Sequence, residues 1–188
     1  MRRGILGGTF DPPHFGHLLA GEAAYRDLEL DVVSYFPTGD PWQKADRRIG
    51  APHHRFEMLR RAIGGVGYFD IDDRELRREG PTYTIDTLEE LEDSEDELTL
   101  VMGADSAQGF QTWHRWEEIT GHAALAVAPR QGVTPDDVRS VLPSDPAWLD
   151  MAEVSLSGTD MRARVKAGRS IRFMTPDPVW EYVEEYEL

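Results

Sequence analysis

The 188-residue chain contains no cysteine and no asparagine, and only two lysines, Lys44 and Lys166. Without cysteine there are no disulfides, no thiolate metal sites and no cysteine nucleophile; the composition fits a cytoplasmic protein. No apolar run approaches the ~18 residues a membrane-spanning helix needs. The first residues lack the apolar core of a signal peptide and enter a strand-like segment almost at once. No Gly-Lys-Ser/Thr occurs, and the first strand–helix turn lacks Gly-x-Gly-x-x-Gly, which argues against a GTPase, a kinase and a hydride-transfer enzyme. Positive charge is also scarce: 20 Lys and Arg stand against 35 Asp and Glu, a net charge of −15. Such a field disfavours nucleic acid and anionic membrane as partners. A small anionic ligand then requires a local cluster of cations.

What is present reads as one α/β domain over residues 1–188, with a composition that leaves a homo-oligomer open. Hydrophobic residues make up 40% of the chain, enough for a globular core. Strand-like segments at 3–6, 32–36, 68–71, 98–102 and 123–127 alternate with helix-like ones at 15–30, 53–63 and 84–91, which predicts a doubly wound parallel sheet with helices on both faces. Ser157 is placed to cap a helix ending before Gly168. A last helix follows Pro176 and Pro178, with Val179, Tyr182, Val183 and Tyr186 at helical spacing, as a small C-terminal extension. Residues 131–150 read as the loosest region. In open α/β sheets ligands bind at the carboxyl ends of strands, which directs attention to 7–17, 37–48, 103–116, 128–132 and 155–162.

The first of these segments is the most informative. A short apolar run ends in Gly7-Gly8-Thr9-Phe10, and His14-Phe15-Gly16-His17 follows where a helix begins. Glycines let backbone amides approach an anion, and a helix N-terminus offers free N–H groups. Two histidines at i and i+3 add side-chain donors to the same spot. With Asp11 as the one acidic neighbour, the pair is a poor zinc site, so phosphate is the expected ligand and no protein-held metal is expected. Ser157-Gly158-Thr159-Asp160-Met161-Arg162 places hydroxyls and an arginine at another helix N-terminus, a second anion cradle. Arg74–Leu88 is a loop entering a helix, with Thr82 or Thr84 as N-cap. Trp116 suits a core position.

Gly7-Gly8-Thr9-Phe10-Asp11-Pro12-Pro13-His14-Phe15-Gly16-His17 resembles the signature of the nucleotidylyltransferase superfamily, Gly-Gly-Thr-Phe-Asp-Pro-x-His-x-Gly-His. Gly80-Pro81-Thr82-Tyr83-Thr84-Ile85-Asp86-Thr87-Leu88 and Trp113-His114 are similar to motifs of its bacterial nicotinate-nucleotide adenylyltransferase branch. The resemblance implies a Rossmann-like fold and transfer of AMP from ATP to nicotinate mononucleotide, with magnesium held mainly by the ATP phosphates. It implies that His14, His17, Lys44 and Arg162 carry the electrostatic load, Lys44 from the Pro37–Lys44 loop. It places Gly7, Gly8, Thr9, Phe10, Gly103, Asp105, Arg130, Ser157, Gly158 and Thr159 around ATP. Thr84, Trp113 and His114 fall to the pyridine ring and its carboxylate. Arg55 and Met58 match a helix read as mainly structural. Gly158 stands where the family has serine, one hydroxyl donor fewer. Nicotinamide mononucleotide or phosphopantetheine as acceptor, and a non-catalytic nucleotide-binding module, remain the alternatives; the Thr84 and Trp113 segments speak against phosphopantetheine.

Overall fold

The computed structural model describes residues 1–40 and 49–188, with the side chain of Asp93 also outside the description. Its strands are β1 (Arg2–Gly8), β2 (Val32–Pro37), β3 (Phe69–Ile71), β4 (Glu97–Gly103), β5 (Ala124–Ala128) and β6 (Ala147–Trp148). All pair in parallel, in the order β3-β2-β1-β4-β5-β6. The helices are α1 (Phe15–Asp27), α2 (Pro52–Ile63), α3 (Arg74–Arg77), α4 (Thr84–Leu91), α5 (Ala104–Gln108), α6 (Trp116–His122), α7 (Pro135–Arg139), α8 (Gly158–Lys166) and α9 (Asp177–Tyr186).

The sheet is buried on both faces, so successive residues of a strand serve opposite layers. Ile5, Leu100, Met102, Leu125 and Val127 join a core with Ile85 and Leu88 of α4, Phe110 and Ile119. Leu6, Val101, Ala126 and Ala128 join another with Ala20, Ala23 and Ala24 of α1 and Leu59 and Ile63 of α2. Met58 of α2, Met161 of α8, and Val179, Tyr182 and Val183 of α9 make a third cluster, the predicted C-terminal extension. Among the described residues, no helix is long and apolar enough to cross a membrane.

The predicted Rossmann-like architecture is present, and three local differences have physical causes. β1 runs on to Gly8 because Gly7 and Gly8 pair with Phe36 and Pro37. α1 ends at Asp27, before the predicted Leu30, and Glu29 then takes a left-handed conformation with φ 49°. Residues 131–150 are more ordered than their Pro, Asp and Ser content implied. Thr134 caps α7 in a reciprocal pair with Asp137, Pro135 lies in its first turn, and β6 extends the sheet against β5. The chain leaves β1 toward β2 and β3, then crosses over to β4 on the other side. The crevice at the carboxyl ends of β1 and β4 is the switch point where such sheets bind ligands.

Candidate active site

β1 delivers its two glycines to this crevice, and the chain turns through a buried Phe10 into α1. His14, in extended conformation, is the N-cap of α1. Its backbone N–H donates to Nδ1 of His17 at 3.1 Å. In a neutral imidazole, that acceptor role places the proton of His17 on Nε2. The two rings stack, with centroids 3.7 Å apart and planes 19° from parallel. His14 is 5% exposed, and its Nδ1 has no hydrogen-bond partner among the described residues. Burial first, then the positive charge of Arg130, pushes the His14 imidazole down to about 4, against smaller opposing effects from a backbone hydrogen bond and Asp105. His14 is therefore neutral at neutral pH, while Arg130 and Asp105 bring charge of both signs to its side of the cavity.

The first turn of α8 faces the same space. Ser157 Oγ accepts from the Asp160 N–H at 3.1 Å and donates to the Asp160 carboxylate at 2.7 Å, fixing the helix start. Arg162 donates from Nη1 to the Asp11 carbonyl at 2.7 Å and from Nη2 to Thr159 Oγ1 at 3.2 Å. A Cβ on Gly158 would lie 3.1 Å from both Arg162 Nη1 and the Asp11 carbonyl oxygen. Glycine here lets the first turn of α8 close against the segment after β1. The buried Asp11 carboxylate lies 3.8 Å from Arg162 and accepts the Gly50 N–H at 3.0 Å.

The far end of the cavity belongs to α4 and the segment before α6. Tyr83 is the N-cap of α4 and Thr84 its first residue, so neither Thr82 nor Thr84 holds the capping position predicted. Thr82 has another role: its N–H donates to the Asp40 carbonyl at 3.0 Å, and its Oγ1 accepts from the Asp40 N–H at 3.3 Å. Trp113 packs near Phe110, ring centroids 5.4 Å apart, and His114 lies against Tyr83 at 4.3 Å. Trp116 packs on the core, as its spacing implied.

Every described residue assigned in advance lines one cavity of about 460 Å³: Gly7, Gly8, Thr9, Phe10, His14, His17, Thr84, Gly103, Asp105, Trp113, His114, Arg130, Ser157, Gly158, Thr159 and Arg162. Lys44 lies outside the described residues. Glu75 and Thr87 also line the cavity without having been assigned to it: nothing in the sequence marks the four-residue α3 of Glu75 as buried, and Thr87 faces inward only because Glu75 meets it. Asp11 and Arg55 organise the site, and both stood in quoted motifs. Arg55, 1% exposed, donates to the carbonyls of Gly50, Thr9, Thr38 and Gly39 at 2.7–3.2 Å.

Comparison with known proteins agrees with this geometry along the whole chain. The family model Cytidylyltransferase-like matches residues 5–164. A probable nicotinate-nucleotide adenylyltransferase of Desulfitobacterium hafniense is 38% identical, covering 100% of this chain and 95% of the relative. One from Pseudomonas entomophila is 37% identical, covering 100% and 94%. In fold, the chain is similar to the Plasmodium falciparum nicotinic acid mononucleotide adenylyltransferase complexed with NaAD, with a TM-score of 0.82 at 17% identity, covering 100% of this chain and 96% of that one. A family model over residues 5–164, and relatives at 37–38% identity matched over the whole chain, show that it belongs to the nicotinate-nucleotide adenylyltransferases of the cytidylyltransferase-like family.

Proposed function

We propose that the protein joins ATP to nicotinate mononucleotide, forming nicotinate adenine dinucleotide and pyrophosphate. One observation carries the proposal: a single cavity holds the His14–His17 and Ser157–Arg162 cradles together with Thr84, Trp113 and His114. The mononucleotide 5′-phosphate attacks the α-phosphorus in line, the new P–O bond forms, and the bond to pyrophosphate breaks. The attacking phosphate is already ionised, so positioning and charge stabilisation do the work and no strong base is needed. His17 offers its Nε2–H, and Arg162 with the free N–H groups of α8 takes charge on the leaving pyrophosphate. Neutral His14 offers a hydrogen-bonding edge without competing for protons. Lys44 completes the cation set by its place in the motif. Gly7, Gly8, Thr9, Phe10, Gly103, Asp105 and Arg130 surround the nucleotide. Trp113 stacks on the pyridinium ring, while Thr84 and the backbone at His114 hold its carboxylate. No group of three His, Cys, Asp or Glu side chains suited to a metal occurs among the described residues. Magnesium is assigned to the triphosphate, as part of the substrate.

The test is pyrophosphate release from MgATP with nicotinate mononucleotide, nicotinamide mononucleotide and phosphopantetheine offered in turn. Release is expected to be fastest with nicotinate mononucleotide. ATP binding without release from any acceptor would overturn the enzymatic reading in favour of a binding module.

A further inference from the structure

Glu75 is a buried carboxyl in the cavity wall that the mechanism above does not use. It is 6% exposed and belongs to α3. Its Oε1 accepts from Thr87 Oγ1 at 2.8 Å. Thr87 lies three residues after Thr84 in α4, ~5 Å along the helix axis, so this bond holds the carboxyl beside the first turns of that helix. The opposite side of Glu75 is equally constrained. Gly39 packs against the Glu75 carbonyl so closely that no Cβ fits, and Asp40 is tied to Thr82. Glu75 thus sits where the segment after β2, α3 and α4 converge.

The charged groups acting on it, among the described residues, are Arg78 after α3, Asp72 before α3 and Glu90 of α4. Arg78 donates to Thr87 Oγ1 at 3.3 Å and to Glu90 at 2.7 Å, and Arg74 holds Asp72 at 2.8 Å and lies 3.6 Å from Glu90. Burial outweighs the Thr87 hydrogen bond and Arg78, and pushes the Glu75 carboxyl up to about 7. Near neutral pH the site therefore exists with and without a negative charge beside the first turns of α4.

Resting on the acceptor assignment above, we propose that Glu75 is a specificity-determining positioning residue: as an uncharged acid it admits an anionic ring substituent over the first turn of α4, and as a carboxylate it repels one. The pyridinium charge is common to both acceptors and cancels between them, and the neutral carboxamide substituent does not feel this difference to first order. Preference for the acid over the amide acceptor is thereby coupled to one proton on the protein.

The test is kcat/KM for nicotinate and nicotinamide mononucleotides, at saturating MgATP, from pH 6.0 to 8.5. The 5′-phosphate and the histidines are common to both reactions, so their titrations cancel in the acid-to-amide ratio. The ratio is expected to fall about tenfold as pH rises through about 7, with the loss in KM for the acid, and to be flat in Glu75→Gln. Should Glu75→Gln fail to fold, calorimetry on the unaltered protein at pH 7.5, in two buffers of different ionisation heat, serves instead. The acid is expected to bind with more proton uptake than the amide. A flat ratio in the unaltered protein, the same slope in Glu75→Gln, or equal proton uptake overturns the inference while leaving the acceptor assignment standing. Absence of turnover with both mononucleotides overturns that assignment, and this inference with it.

Discussion

His14 and His17 have the same side chain and different jobs, because one is buried and the other has its Nδ1 occupied. Substituting His17 by Ala removes the Nε2–H donor that the proposed mechanism directs at developing charge, and turnover is expected to fall by about 10²–10³ with the fold intact. Single-turnover kinetics on H17A check this; near-normal turnover would remove His17 from the mechanism. His14 has a thermodynamic signature as well. Its folded-state value of about 4 lies below the unfolded value of 6.5, so the unfolded chain binds the extra proton between them. Stability from His14 is full above about pH 6.5 and is lost as pH falls toward 4, by roughly 1–3 kcal/mol. Urea titrations at pH 7 and pH 5 measure the loss, and His14→Gln is expected to reduce it. The residue types at both positions could be read from the sequence, since a strand, two glycines and a helix start specify anion binding together. Their difference could not, because burial and the Arg130 field arise only when distant segments meet. Glu75 shows the same limit more sharply: its sequence neighbours mark it as surface, and its burial comes from Gly39 and Thr87.

Elements set the site by meeting at fixed joints, and Arg55 is the strongest of them. From α2 it gathers the carbonyls of Thr9 after β1, of Thr38 and Gly39 after β2, and of Gly50. A planar guanidinium can serve several acceptors in one plane, and a lysine ammonium cannot. Arg55→Lys is expected to cost about 3 kcal/mol of stability and to raise KM for ATP. Chemical denaturation and steady-state kinetics on the variant check both. The sequence marked this helix as structural but could not name the carbonyls it serves. Gly158 is the complementary joint, where α8 crosses the Asp11 carbonyl. The sequence presented this glycine as a lost hydroxyl; the fold adds that a Cβ here meets a backbone atom at 3.1 Å, which must shift by a few tenths of an ångström. Gly158→Ala is expected to lower stability by about 1 kcal/mol through overpacking. A midpoint unchanged in urea would show that α8 shifts to accommodate the methyl. At this scale the parallel α/β pattern was plain from alternating apolar runs. α3, α5 and α6 were not, because helices of 4, 5 and 7 residues are too short for periodicity to declare itself.

The whole molecule is held together by sharing elements between layers. Strands of one sheet divide their side chains between two cores, so neither core exists without the other. α2 extends this coupling to the C-terminal cluster: Leu59 and Ile63 pack toward the sheet while Met58 packs toward α8 and α9. We propose on this basis that residues 1–188 unfold as one domain. A cavity in the C-terminal cluster should then weaken the sheet as much as the helices around the cavity. Val179, fully buried in α9, is far in sequence from every strand. Val179→Ala is expected to cost roughly 2 kcal/mol and to lower a single melting transition by about 5 °C, with calorimetric and van't Hoff enthalpies remaining equal. The decisive outcome is the shape of the melt. An early transition of α8 and α9 alone, with the sheet melting at its original temperature, would divide the molecule into two units. It would also mean that the Ser157–Arg162 cradle is held independently of the His14–His17 one. A single shifted transition means that packing at α9 stabilises both cradles at once, through α2.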